Sequence, residues 1–179
     1  MLPKIVKELL KRCANIEAED DIGVTALYCA AGDGHDKVVV ELLKNDAEIE
    51  ATSEDGFTPL MIAAQEGHAN TVKDLLQRGA DIEASTPAGF TSLMTTGDQV
   101  EVMKVLLNHG ADIDARDNDG LTSLIAATIL GQIKAVEFLL EKGADPIVVD
   151  NGGVIAGDHA EARGHNEIAD ILTAAVNST

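Results

Sequence analysis

The chain has 179 residues, of which 45% are hydrophobic but only 2% aromatic, with no Trp. Its formal net charge of −18 excludes a grip on a nucleic-acid backbone or an anionic membrane surface, because a phosphate partner requires a basic face. No run of about 18 apolar residues exists to cross a bilayer, and a dense cover of acids keeps a long open surface dissolved.

The first stretch, residues 1–18, opens as MLPKIVKELLKRC. Lys4, Lys7 and Lys11 break it up, so it lacks the apolar core and the small-residue cleavage site of a signal peptide. Val6, Leu9 and Leu10 form one apolar helical face and repeat as Val39, Leu42 and Leu43. The stretch therefore reads as the second half of a unit whose first helix is missing. Either it is a piece of a longer protein or it is a minimal N-terminal cap.

Residues 19–51 form a full unit: Gly23 and Thr25 mark a turn and cap, Leu27, Ala30 and Ala31 a first helix, Val39, Leu42 and Leu43 a second. Residues 52–84 repeat it most cleanly. Thr58 is placed to cap a helix whose first position is Pro59, where a missing N–H costs nothing. Leu60, Ala63 and Ala64 follow at helical spacing, and Gly67 ends the helix. Val72, Leu75 and Leu76 line a second helix stopped by Gly79, and Ala80–Ala84 is expected to run extended. Residues 85–115 have lost two residues at the end of the first helix. Thr95, Thr96 and Gly97 stand there, so this helix should be short and its unit the least stable, with Thr hydroxyls bonding back to the preceding turn. Residues 116–148 restore the pattern, although Ile129 and Leu130 occupy positions that are Gln65 and Glu66 two units earlier. Residues 149–179 keep the period but are polar through Asp158, His159, Glu161, Arg163 and Asn166, as a C-terminal cap with a wet outer face must be; fraying is expected after Ala175.

Gly23, Gly56 and Gly89 lie 33 residues apart, and Gly120 follows after 31. AEIEA (47–51), ADIEA (80–84) and ADIDA (111–115) recur in step, with ANIEA (14–18) a near copy. A period near 33, with a turn and two helices, marks a helical solenoid whose thin units must stack to bury their apolar faces. The tetrapeptides Thr25-Ala26-Leu27-Tyr28, Thr58-Pro59-Leu60-Met61, Thr91-Ser92-Leu93-Met94 and Thr122-Ser123-Leu124-Ile125 resemble the TPLH motif of the ankyrin repeat family over nearly the whole chain. The resemblance implies an all-α solenoid of helix pairs joined by hairpin-type loops. It also implies a non-catalytic module that binds another protein through its hairpin tips and concave groove.

Chemistry-bearing patterns are sparse. His35, His68 and His165 follow Gly at one repeat position and read as structural, and His159 beside Asp158 is an isolated pair. The stretch from Asp114 to Gly120 imitates a calcium loop, but with Gly120 at the sixth position Ala115 and Ala126 stand where carboxylates are essential. A hairpin turn accounts for it. No metal, cofactor or catalytic residue is expected. Cys13 and Cys29 fit neither a disulfide framework nor a zinc site, so a cytoplasmic or other intracellular setting, the nucleus included, is the default. In the ankyrin family an Asn of the extended segment is sometimes hydroxylated; Glu17, Glu50, Glu83 and Asp114 stand there instead.

The residue after each turn glycine is the one that the repeat least requires. It is Val24, Phe57, Phe90, Leu121 and Val154 in turn, and it claims two of the three Phe residues. Edged by Asp21, Glu54, Asp55, Asp117 and Asp119, this column reads either as a docking surface for a basic-apolar segment of a partner protein or as glue between hairpins. Ile129 and Leu130 either extend that surface or fill the gap beside the short unit. The remaining Phe138, and Tyr28, Met61, Met94 and Ile125 at the position of the family's His, read as core. A monomeric protein-binding module is the leading expectation, and a spacer or regulatory arm of a larger protein is the alternative.

Overall fold

The computed structural model describes residues 2–178. Eleven helices follow along them: α1 (Leu2–Lys11), α2 (Ala26–Gly32), α3 (Asp36–Leu43), α4 (Pro59–Gln65), α5 (Ala69–Gln77), α6 (Ser92–Thr95), α7 (Val100–Asn108), α8 (Ser123–Ile129), α9 (Ile133–Glu141), α10 (Ala156–Arg163) and α11 (Asn166–Ser178). Among the described residues extended pairing is limited to two isolated bridges, Ser85 with Thr91 and Val149 with Ile155, each closing a hairpin. The expected all-α solenoid is the observed fold.

Local chemistry starts the first helices. Thr25, Thr58 and Thr122 each accept, at 3.3 Å, a hydrogen bond from the backbone N–H three residues on, and Pro59 stands in the first turn of α4. The even-numbered helices α2 to α10 stack as one layer, and α1 with the odd-numbered helices to α11 as the other. Leu27, Leu60, Leu93 and Leu124 from the first layer meet Leu42, Leu75, Leu106 and Leu139 from the second, all at most 2% exposed. Burying one such side chain stabilises the fold by about 1.5–3 kcal/mol.

The stack is stitched by side chains that reach one unit forward or back. Glu17, Glu50 and Glu83 each accept a hydrogen bond through Oε1 from a backbone N–H of the following unit, those of Glu48, Asp81 and Asp112, at 2.8–2.9 Å. Asp114 continues the series to the N–H of Asp145 at 3.2 Å. The segment expected to run extended instead makes a turn at each step: the N–H of Ala84 reaches the carbonyl of Asp81, and Asp81 Oδ1 accepts from the N–H of Glu83. A short acid at the head of the segment favours this turn because its own carboxylate bonds the backbone two residues on. On the opposite side of the first layer, His68 Nε2 donates to the carbonyl of Gly32 at 2.8 Å, and His165 reaches that of Ile129 at 3.4 Å. Gly34 has φ +66° and lies against the His68 ring, where a Cβ would come within 2.6 Å of Nδ1.

The third unit departs as its deletion requires. Helix α6 has four residues. Thr95 and Thr96 donate their hydroxyls to the carbonyls of Ser92 and Leu93, one turn back. Thr91 makes no side-chain cap, and its Oγ1 is buried without a hydrogen-bond partner. Two other expectations need correction at the ends of the stack. Leu9 does not line the core as Leu42 does: it is 52% exposed, and among the described residues no first helix lies over it. The last helix runs on to Ser178 rather than fraying after Ala175.

Two outcomes follow. Amide hydrogen exchange in α6 is expected to run at least about tenfold faster than in α4 or α8, and equal protection by NMR would contradict its weakness. Burial, reinforced by the neighbouring Asp81 and Glu48, pushes the Glu50 carboxyl above its ordinary range, although the N–H of Asp81 opposes this. Its contribution to stability is therefore complete below the unfolded value and is lost as pH rises through the raised folded one. Glu50→Gln keeps an acceptor and should match or exceed the native urea midpoint at pH 7, the gain shrinking toward about pH 4. Glu50→Ala leaves the N–H of Asp81 without its acceptor and should cost about 1 kcal/mol.

Candidate protein-binding surface

Each hairpin is built from one polar residue. Asp20, Ser53, Thr86, Asp117 and Asp150 accept, through the side chain, the backbone N–H of Val24, Phe57, Phe90, Leu121 and Val154, at 2.8–3.2 Å. The same pairs close the hairpin through the main chain, in the opposite sense, at 3.0–3.1 Å. The backbone of the column position is thus fixed identically five times, and only the side chain differs.

Exposure along the column is graded. Val24 is buried at 5%, Leu121 is half-buried against the core, Phe57 is half-buried, and Phe90 is 38% exposed. Asp21, Glu54, Asp55 and Asp119 stand exposed beside it. Asp117 does not belong with them: it is 8% exposed, and its Oδ1 accepts from the N–H groups of both Asp119 and Leu121. Its role in the turn was visible in the spacing, since 20, 53, 86, 117 and 150 all hold side chains able to accept a bond three residues before the turn glycine. Ile129 packs partly buried against the core, while Leu130, which ends α8, is 66% exposed. Tyr28 and Met94 are half-buried, and Met61 and Ile125 are at most 1% exposed.

The hairpin tips are joined in the second half of the stack. Asn118 donates its backbone N–H to Ala88 and its side-chain amide to the carbonyl of Pro87, and Asn151 does the same to Asp119 and Asn118, all at 2.8–3.0 Å. The recurrence of Asn at 118 and 151 was the available signal. Arg116 adds a bond from Nη2 to the carbonyl of Val149 at 2.6 Å. Phe90 therefore projects from a hairpin whose tip is tied to the following one through Asn118 and lies in close contact with Gly56 of the preceding one.

Charge is divided between the layers. Except for Arg116 and Arg163, every Lys and Arg lies on α1 or on the odd-numbered helices, or directly follows one of them. The first helices and hairpins are left acidic and almost without cations. Arg163 is itself engaged: its Nη1 donates to His159 Nδ1, whose ring donates through Nε2 to Asp150 Oδ2 at 2.8 Å. His159 thus pairs with Asp150 across the hairpin rather than with its neighbour Asp158. The backbone N–H of Val154 and then the His159 bond hold the Asp150 carboxyl below its ordinary range. This triad locks the last hairpin to α10.

Nothing in the surface resembles an activated nucleophile. Partial burial, then the carboxylates of Asp20 and Asp33, push the Cys29 thiol up, away from thiolate reactivity. Among the described residues no cluster of His, Cys, Asp or Glu could hold a metal ion, and no helix is long and apolar enough to cross a membrane. A groove of about 680 Å³ lies elsewhere, between α7 and α9, where Lys104 and Lys142 flank the Phe138 ring with their ammonium groups 5.9 and 5.3 Å from its centre. Phe138 is 6% exposed, in keeping with a core role.

No curated protein matches the chain. A family model described as ankyrin repeats, three copies, matches residues 2–86 and 85–150. With the paired helices, the capped turns and the continuous two-layer core, this coverage establishes that the chain belongs to the ankyrin repeat family.

Proposed function

We propose that this protein is a non-catalytic binding module whose hairpin and first-helix layer receives a basic-apolar segment of another protein. Ankyrin repeats are in general protein–protein interaction modules. The observation that carries the finer reading is the pairing of an almost cation-free acidic layer with Phe90, a braced and 38% exposed aromatic. Aromatic anchors in rigid settings dominate interface energetics. Phe57, at the same position one unit earlier, and exposed Leu130 at the end of α8 add apolar surface, and Asp21, Glu54, Asp55 and Asp119 supply the acidic rim, which sets approach rate and orientation more than affinity. Val24 is buried and Leu121 and Ile129 are packed partly against the core, so they contribute less than Phe90, and Asp117 acts through the turn. The unit boundaries 1–18, 19–51, 52–84, 85–115, 116–148 and 149–179 complete the proposal, as does an intracellular, cytoplasmic setting.

Affinity capture from lysate, repeated at low and moderate salt, tests the reading. Replacing Phe57 and Phe90 together by Ala should weaken retention of the captured partner by at least about tenfold while far-UV circular dichroism shows the variant still folded. Capture that is unchanged in a folded double variant would leave the spacer role as the better account. A partner whose retention does not fall as salt rises would remove the electrostatic part.

A further inference from the structure

The open end of the stack at α1 is unlike any other second helix. Ile5 and Leu9 occupy the positions of Val38 and Leu42, which are 8% and 2% exposed, yet they are 48% and 52% exposed. The equivalent residues Thr71 and Leu75, Val102 and Leu106, Ala135 and Leu139, and Ile168 and Leu172 are all at most 2% exposed. A shallow groove of about 400 Å³ runs along these two residues between Lys4, Glu8 and Arg12. The opposite end of the stack is finished differently. Where earlier units place Leu43, Leu76, Leu107 and Leu140 under the next unit, the last places exposed Thr173.

Charge says what the open face accepts. Lys4, Lys7, Lys11 and Arg12 against the single Glu8 make it the basic end of a chain whose net charge is −18. Lys7 is paired across to Glu41 at 3.3 Å and Arg12 to Glu8 at 3.0 Å. The last helix pair is the acidic end: Asp158, Glu161, Glu167 and Asp170 are exposed, and the one cation there, Arg163, is turned to His159. Its exposed Ala162, Thr173 and Ala174 are small enough for another helix to approach closely.

We infer that copies of this chain associate head to tail, with the Ile5 and Leu9 face of α1 seated on the acidic α10–α11 end of a second copy. The contact fills the place that a first helix takes in the other units, where Leu27 covers Leu42. Because it joins two different surfaces, it leaves one of each free and propagates into short open chains. It buries two small faces, so it is weak.

Sedimentation equilibrium of the full chain up to about 1 mM tests this, since contacts at the low end of interface sizes need such concentrations. The expected result is concentration-dependent growth beyond a dimer. Ile5→Glu with Leu9→Glu, both on the exposed side of α1, should abolish it, as should Glu167→Lys with Asp170→Lys at the other end. Far-UV circular dichroism confirms that each variant is folded. An equimolar mixture of the two variants should regain a dimer and stop there, because one competent surface of each kind remains. A chain that stays monomeric over the whole range overturns the inference. So does association that survives the α1 changes, or a mixture that fails to dimerise, which would indicate like surfaces pairing or a face reserved for a different chain.

Discussion

Each helix pair of this protein is too thin to bury its own apolar side, so the whole structure depends on contact between one unit and the next. Leu60 and Leu75 are sealed from water only because α2 with α3 and α6 with α7 lie on either side of their pair. The polar groups obey the same constraint. Glu50 satisfies an amide of the following unit, and His68 a carbonyl of the preceding one. Such bonds are individually worth about 1 kcal/mol, but they recur at a fixed step and hold the register of the stack. Stability of this kind is nearest-neighbour in form. A defect such as the four-residue α6 is felt by the units on both sides, and an end without a neighbour leaves apolar surface open, as α1 does.

The same architecture separates the tasks of the side chains. The second helices carry nearly all the cations, many paired with acids on their own or the adjacent helix, such as Lys104 with Glu101 and Lys7 with Glu41. The hairpins keep the acids and hold their backbone rigid with one Asp, Ser or Thr each. Rigidity at Phe90 matters for recognition, because a side chain already ordered loses little entropy when a partner covers it. The acidic layer acts at longer range, within roughly a Debye length of the surface.

Much of the site was legible before folding, and the parts that were not have a common cause. The column of Val24, Phe57, Phe90 and Leu121 could be found by counting from the turn glycines, because hairpin geometry is set within five residues. How open each member is could not be found that way. Val24 and Phe90 have the same local backbone bonds, but one is buried and the other is not. Asp117 read as one acid among several, yet its carboxylate is committed to two amides. Ile129 and Leu130 are adjacent and equally apolar, and the stack covers only the first.

The sequence by itself determined the repeat, its period near 33, the Thr and Pro starts of the first helices, the shortened third unit and the polar character of the last. These features depend on groups a few residues apart, where spacing alone dictates which atoms can meet. Only the tertiary structure decided which acids belong to the ladder of Glu17, Glu50, Glu83 and Asp114 and which stay free. It also decided that His159 faces Asp150, and that Leu9 is exposed where Leu42 is not. Each rung of the ladder is set by a neighbour about one repeat away along the chain. Until the layers are stacked, nothing local distinguishes a side chain that will meet that neighbour from one that will meet water.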